Sequence, residues 1–225
     1  MQRLIALFPV TRAAAVGFAV LVLAGCGGGK GGSTEQAQEG TTPQGCAFAA
    51  KHTHQSGGYP NKNLRLDPAK TYRLLFETNC GSFTVTLNQK LAPNATGSLV
   101  SLAQRGFFND TFFHRIVPGF VIQGGDPTGT GTGGPGYQTH DTVPKTASYI
   151  HGVVAMAKTG SEPAGTAGSQ FFVVTGQDAG LPPDYAIVGK VTEGLGVVDR
   201  IGALGDANEQ PTANIVISKV KVQTS

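Results

Sequence analysis

Two stretches of alternation open the patterned part of the chain. Between Thr71 and Thr78, Tyr72, Leu74 and Phe76 alternate with Arg73 and Glu77; between Ser82 and Asn88, Phe83, Val85 and Leu87 alternate with Ser82, Thr84 and Thr86. Successive strand side chains point to opposite faces, so this period of two predicts a pair of half-buried strands. Asn79-Cys80-Gly81 between them predicts a hairpin, since Asn and Gly tolerate positive φ. The period then lengthens. Behind Pro93, Ala95, Leu99, Leu102 and Ala103 fall on one face of a helix that Gly106 would end. Short apolar runs follow at Phe112–Val117, Phe120–Gln123, Gly152–Ala157, Gln170–Thr175, Ala186–Val191 and Asn214–Val222, separated by Gly- and Pro-rich stretches. Val197, Val198, Ile201 and Leu204 mark a second helix over Gly196–Leu204. Many strands and two helices without βαβ alternation predict a mainly β fold, a closed antiparallel barrel in preference to a doubly wound sheet.

The N-terminal pattern is of another kind. Arg3 and Arg12 flank an apolar stretch, Ala13–Leu23, too short to cross a bilayer, which takes about 20 apolar residues. Residues 1–25 therefore read as a signal peptide. They end Leu23-Ala24-Gly25-Cys26, which resembles the lipobox of bacterial lipoproteins and implies that Cys26 is acylated. Residues 26–63 read as the lipidated cysteine and a flexible linker. The stretch Gly27 to about Gly45 has no apolar periodicity with which to offset its chain entropy. The folded domain is expected over 64–225. The protein is then expected in the cell envelope, lipid-anchored to a bacterial membrane and facing outside the cytoplasm.

Composition narrows the functions. The formal charge is +3, of which Arg3 and Arg12 contribute two, so the remainder carries +1. Such a balance offers no footprint for nucleic acid. His52 and His54 have the spacing of metal ligands but no further cluster joins them, and no metal or cofactor is expected. With Cys26 assigned to lipid, Cys46 and Cys80 remain as a candidate disulfide in an oxidising compartment. The Gly129–Gly136 run lacks the Gly-Lys-Ser/Thr ending of a phosphate loop and reads as a surface loop.

Chemistry concentrates in three segments: Phe113-His114-Arg115-Ile116-Val117-Pro118-Gly119-Phe120-Val121-Ile122-Gln123-Gly124-Gly125-Asp126, then Gly152-Val153-Val154-Ala155-Met156-Ala157, then Gly168-Ser169-Gln170-Phe171-Phe172. In this order and spacing they resemble the cyclophilins, over roughly Thr71 to Val222. The resemblance implies a closed eight-stranded antiparallel β-barrel with two capping helices and a shallow groove on its outer face. It implies peptidyl-prolyl cis–trans isomerase activity on proline-containing peptides; with the signal segment, the expected clients are unfolded exported proteins. Arg115 matches the catalytic arginine. Phe120, Val121, Phe172 and Leu181 match the apolar wall around the proline ring, and Gln123 and Gln170 match polar groove residues. Ala157 and Lys158 match the segment that holds the peptide backbone. The pattern departs where many members carry Trp, here Gly180, where many carry His, here Tyr185, and where Asn often stands, here Lys158. The missing Trp implies weak binding of cyclosporin.

Elementary chemistry agrees with these roles. Amide resonance sets a barrier of about 18–20 kcal/mol to rotation, and X–Pro exchange takes tens to hundreds of seconds. The proline nitrogen regains a lone pair only when the peptide twists. A fixed, always-charged guanidinium donating to it stabilises the twisted state over both planar ones. His114 has no suitably spaced acid or nucleophile, so no acid–base role is assigned. The alternative reading is a non-catalytic module gripping proline-containing segments as a chaperone or envelope scaffold. A solute-binding lipoprotein would need a longer, two-lobed α/β chain. Nothing in the sequence demands a partner subunit, and a monomer is expected.

Overall fold

Strand β1 (Tyr72–Thr78) pairs antiparallel with β2 (Gly81–Leu87), and the rings of the opposed Phe76 and Phe83 stack at 4.8 Å. This hairpin is the start of the fold in a computed structural model, which describes residues 40–60 and 65–225. The signal segment and Cys26 lie outside the described residues. Along the chain follow α1 (Pro93–Gln104), β3 (Thr111–Phe112), β4 (Arg115–Val117), β5 (Val121–Gly124), β6 (Thr139–His140) and β7 (Val153–Met156). Then come β8 (Thr166–Ala167), β9 (Phe171–Val174), β10 (Ile187–Glu193), α2 (Leu195–Gly202) and β11 (Val216–Thr224).

One antiparallel sheet of nine strands runs in the order β3-β11-β1-β2-β10-β7-β9-β5-β4, and β6 pairs separately with β8. The sheet is a strongly curled half-barrel, which corrects the expected closed eight-stranded barrel. Its two edges, β3 and β4, are separated only by Phe113 and His114, inside the stretch Phe112–Val117 that reads as one run. The chain changes partners between them: Phe113 N–H donates to Ile215 C=O, and His114 N–H to Gln123 C=O. Two residues of covalent chain therefore bridge the edges where a ladder was expected, and among the described residues no β3–β4 pairing exists.

The interior holds Leu74, Phe76, Phe83, Val85, Leu99, Phe108, Phe113, Ile116, Ile122, Phe171 and Val173, all buried. Helix α1 packs on β11 and β6, and α2 on β2, β4 and β5. The first free N–H groups of α1 are met from a distant loop. Buried Asp141 accepts from Asn94 N–H (3.0 Å) and Ala95 N–H (2.8 Å), placing a carboxylate at the positive end of the helix dipole. Gly106 ends the helix at φ 72°, a backbone region that costs L-residues energy.

The hairpin turn uses only one of its two expected devices. Gly81 has φ 114°. Asn79 instead uses its side chain, whose amide nitrogen donates to Ala47 and Asn214 C=O and whose oxygen accepts from Val216 N–H.

Of the stretch read as flexible linker, residues 40–60 are described, and they lie against the domain. Ala47 N–H donates to Asn79 C=O, His54 N–H to Pro127 C=O, and Gly57 N–H to Gly134 C=O. Ser56 Oγ donates to Gly134 C=O and accepts from Gly134 N–H, and the Tyr59 ring meets Phe107 edge-on at 4.7 Å. Cys46 and Cys80, both buried, form a disulfide across 34 residues of sequence. The pleated domain begins near residue 72, but the structure it supports begins by residue 40.

Candidate active site

Strands β5, β7 and β9 carry apolar side chains on both faces, with Gln123 the polar exception on β5. Ile122, Val154, Met156, Phe171 and Val173 face the interior. Val121, Val153, Ala155, Phe172 and Val174 point the other way and build a second apolar cluster, completed by Tyr149 and by the half-buried Phe120, Ala157, Leu181 and Tyr185. This separation follows from the period-two pleat. It gathers Phe120, Val121, Ala157, Phe172, Leu181 and Tyr185, all named from the sequence, into one outer layer.

The register lines up a row across that face. Arg115 on β4 stands opposite Gln123 on β5, Gln123 opposite Phe172 on β9, Phe172 opposite Ala155 on β7, and Ala155 opposite Ile187 on β10. Directly opposed residues share a face, so the row passes from cationic through amide to apolar. Arg115 Nη1 donates to Gln123 Oε1 (3.4 Å), and Gln123 Nε2 donates to Gln170 Oε1 (3.0 Å). Gln170 Nε2 donates onward to the carbonyls of Gly131 (2.9 Å) and Gly133 (3.0 Å).

Those carbonyls belong to a loop ordered by Asp126, which has no exposed surface. One carboxylate oxygen accepts from Thr128 N–H and Oγ1, the other from Gly131 and Gly133 N–H. Burial alone would raise its pKa, but the donors outweigh it and hold the carboxyl below its ordinary value. The expected surface loop 129–136 thus anchors the polar half of the row. It also walls a cleft of 640 Å³ together with Ser56, Gln123, Ala157, Lys158 and Gln170.

Lys158 behaves differently from an open backbone-binding position. Its side chain is 3% exposed, and Nζ lies 3.1 Å from Asp184 Oδ2. Nζ also donates to Thr159 and Glu162 C=O and sits over the Tyr185 ring. It ties the 158–162 loop to the 184–185 segment. Ala157 N–H is taken by Gln170 C=O (2.9 Å).

Three participants had not been named from the sequence for the site. Glu209 Oε2 lies 2.6 Å from Arg115 Nε; the guanidinium's hydrogen bond, then its charge, lowers the Glu209 pKa. Tyr149, buried beneath the outer layer, binds the Tyr185 backbone. Ser56 reaches the cleft from the segment read as linker. His114, next to Arg115, has both ring nitrogens buried without hydrogen-bond partners among the described residues. Burial chiefly lowers its pKa, which favours a neutral ring.

The family model for cyclophilin type peptidyl-prolyl cis-trans isomerases matches residues 73–222. The chain belongs to the cyclophilins. Curated cyclophilin relatives include peptidyl-prolyl cis-trans isomerase-like 1 of Aspergillus fumigatus, 38% identical over 66% of this chain and 94% of its own length. A peptidyl-prolyl cis-trans isomerase of Helicobacter pylori is 39% identical over 60% of this chain and 90% of its own. A Cryptosporidium parvum cyclophilin, crystallised in the presence of the dipeptide Ala-Pro, superposes with a TM-score of 0.62 at 31% identity, covering 67% of this chain and 98% of that one. This cyclophilin is accordingly a peptidyl-prolyl cis–trans isomerase, and the enzyme reading stands over the non-catalytic module.

Proposed function

We propose that the outer groove isomerises X–Pro bonds through Arg115, in proteins exported from a bacterial cytoplasm. The row Arg115–Gln123–Phe172, set by the register of β4, β5 and β9, carries the reading of the site. Phe120, Val121, Phe172 and Leu181 form the wall that holds the proline ring, while Arg115 donates to the proline nitrogen as the peptide twists. Nε of Arg115 is engaged by Glu209 and Nη1 by Gln123, which leaves Nη2 free among the described residues to meet substrate. Gln123 and Gln170 orient the guanidinium and the peptide, and Tyr185 closes the apolar side with Leu181.

The requirement is modest. Moving from about one event per hundred seconds to about ten per second is a 10³-fold gain, about 4 kcal/mol. A charged hydrogen bond made only in the twisted state, together with fixed orientation, is of that order. No proton transfer or nucleophile is involved.

The placement outside the cytoplasm rests on the sequence of residues 1–26, with its short apolar stretch and Leu23-Ala24-Gly25-Cys26. Acylation of Cys26 would anchor a monomeric enzyme to the membrane, where its clients are unfolded chains emerging from export. Mass spectrometry of the protein from a bacterial host tests this: a diacylglyceryl-modified N-terminal Cys26 supports it, and an unmodified Cys26 in an unprocessed chain refutes it. The catalytic reading is tested by cis–trans exchange of a short X–Pro peptide followed by NMR. Wild type accelerates exchange and Arg115→Ala loses it; equal acceleration by both would remove Arg115 from the mechanism.

A further inference from the structure

We propose that Glu209 is a positioning residue, which fixes the plane of the Arg115 guanidinium so that Nη2 faces the substrate. The inference rests on the reading of Arg115 as the donor. It starts from a backbone anomaly: Glu209 has φ 64°, a left-handed conformation shared among the described non-glycine residues only with Asp110. Such a conformation is strained for any residue with a side chain. The turn that imposes it is heavily specified. Asp206 Oδ1 accepts from Asn208 N–H (2.8 Å) and Gln210 N–H (2.9 Å). Asp206 N–H donates to Gln210 C=O, and Glu209 N–H to Asp206 C=O.

The same turn is locked to β4. Ile116 N–H donates to Glu209 C=O (3.1 Å). Gly205, at the turn's base, lies so near β4 that a Cβ there would stand 2.3 Å from Ile116 C=O. Glu209 is thus fastened through its main chain to the residue after Arg115, while its carboxylate takes Arg115 Nε. A guanidinium is planar, so holding Nε on one side and Nη1 by Gln123 on the other fixes the direction of the remaining donors.

Stability does not account for the arrangement. Both side chains are substantially exposed, 33% for Arg115 and 49% for Glu209, and exposed ion pairs contribute little. The opposing effect is electrostatic, since a carboxylate partly offsets the positive charge that Arg115 presents to the twisted peptide. Orientation prevails here because a misdirected donor loses its hydrogen bond outright, whereas the charge of Glu209 is screened by solvent.

The test compares the full-length protein with Glu209→Gly, Glu209→Gln and Arg115→Ala in peptide exchange, reading kcat and KM separately. Glycine relieves the left-handed backbone, so Glu209→Gly is expected to keep or raise Tm while kcat falls about tenfold and KM changes less than twofold. Glu209→Gln keeps an acceptor and should recover much of kcat. In wild type the Arg115 Nε–H resonance should be slow to exchange with water, and it should be lost in Glu209→Gly. Unchanged or raised kcat in Glu209→Gly, with Arg115→Ala inactive, would overturn the inference and leave the catalytic reading standing. Full activity in Arg115→Ala would overturn both.

Discussion

The hydroxyl of Tyr149 accepts from the N–H of Tyr185 at 2.9 Å and donates to the C=O of the same residue at 2.8 Å. One buried side chain thereby satisfies both main-chain groups of a groove residue, and their rings meet edge-on at 5.9 Å. Removing the oxygen strands both groups beneath the outer layer. Tyr149→Phe should lower stability by about 1–3 kcal/mol and raise KM more than it lowers kcat. Urea denaturation and peptide kinetics on the same preparation check this.

Asp126 predicts a dependence on acid. Its folded pKa is depressed, so the stability it contributes is present above its ordinary unfolded pKa and fades as pH falls toward the folded value. Asp126→Asn should therefore be clearly less stable than wild type at pH 7, with the gap narrowing in strong acid. Denaturation midpoints for both proteins from pH 7 downward measure it. Because Asp126 holds the loop that holds Gln170, the variant should also bind peptide more weakly at neutral pH.

The docked segment predicts a cost of truncation. A chain beginning at residue 64 loses the disulfide, the Ser56–Gly134 contacts and Tyr59 on Phe107. Closing a loop of this length stabilises by about 4 kcal/mol in the chain-entropy model. Thermal melts of chains starting at 40 and at 64, with and without reductant, should show two effects. The longer chain is the more stable, and only it responds to reductant.

Gly180 leaves open space where many cyclophilins carry Trp: a Cβ there would meet nothing within 4 Å. Cyclosporin should inhibit this enzyme only weakly. Titration of the drug into the exchange assay decides, and inhibition at nanomolar concentration would contradict the placement of Gly180 in the groove.

What the sequence made legible follows from how each feature is encoded. Strands β1 and β2 were readable because apolar and polar side chains alternate along each, even though Thr84 on the polar side of β2 is itself buried. The helices were readable to within a residue or two from their apolar faces. The break between β3 and β4 was hidden because it takes only Phe113 and His114, with no Gly, Pro, Asn or Asp between Phe112 and Val117 to mark where the chain changes partners. Strands β6 and β8, two residues each, are too short to show a period. Residues 40–60 read as linker because main-chain hydrogen bonds and a disulfide hold them, and neither leaves a hydrophobic pattern. Arg115 and Gln123 stand out through one contiguous motif, Phe113–Asp126, and Phe172 through a second, Gly168–Phe172. Glu209 lies 94 residues from Arg115 in a turn whose conformation would ordinarily suggest glycine, so no local signal pointed to it.

The two faces of β5, β7 and β9 have a consequence for how such an enzyme diversifies. Ile122, Phe171 and Val173 belong to the inner core layer, and Val121, Phe172 and Val174, their immediate neighbours, to the outer layer proposed to receive clients. A substitution one position along the same strand therefore falls under a different constraint. Variation can retune the outer layer toward new peptide sequences while the inner layer keeps its shape, a division of labour written into alternate letters of a four-residue strand.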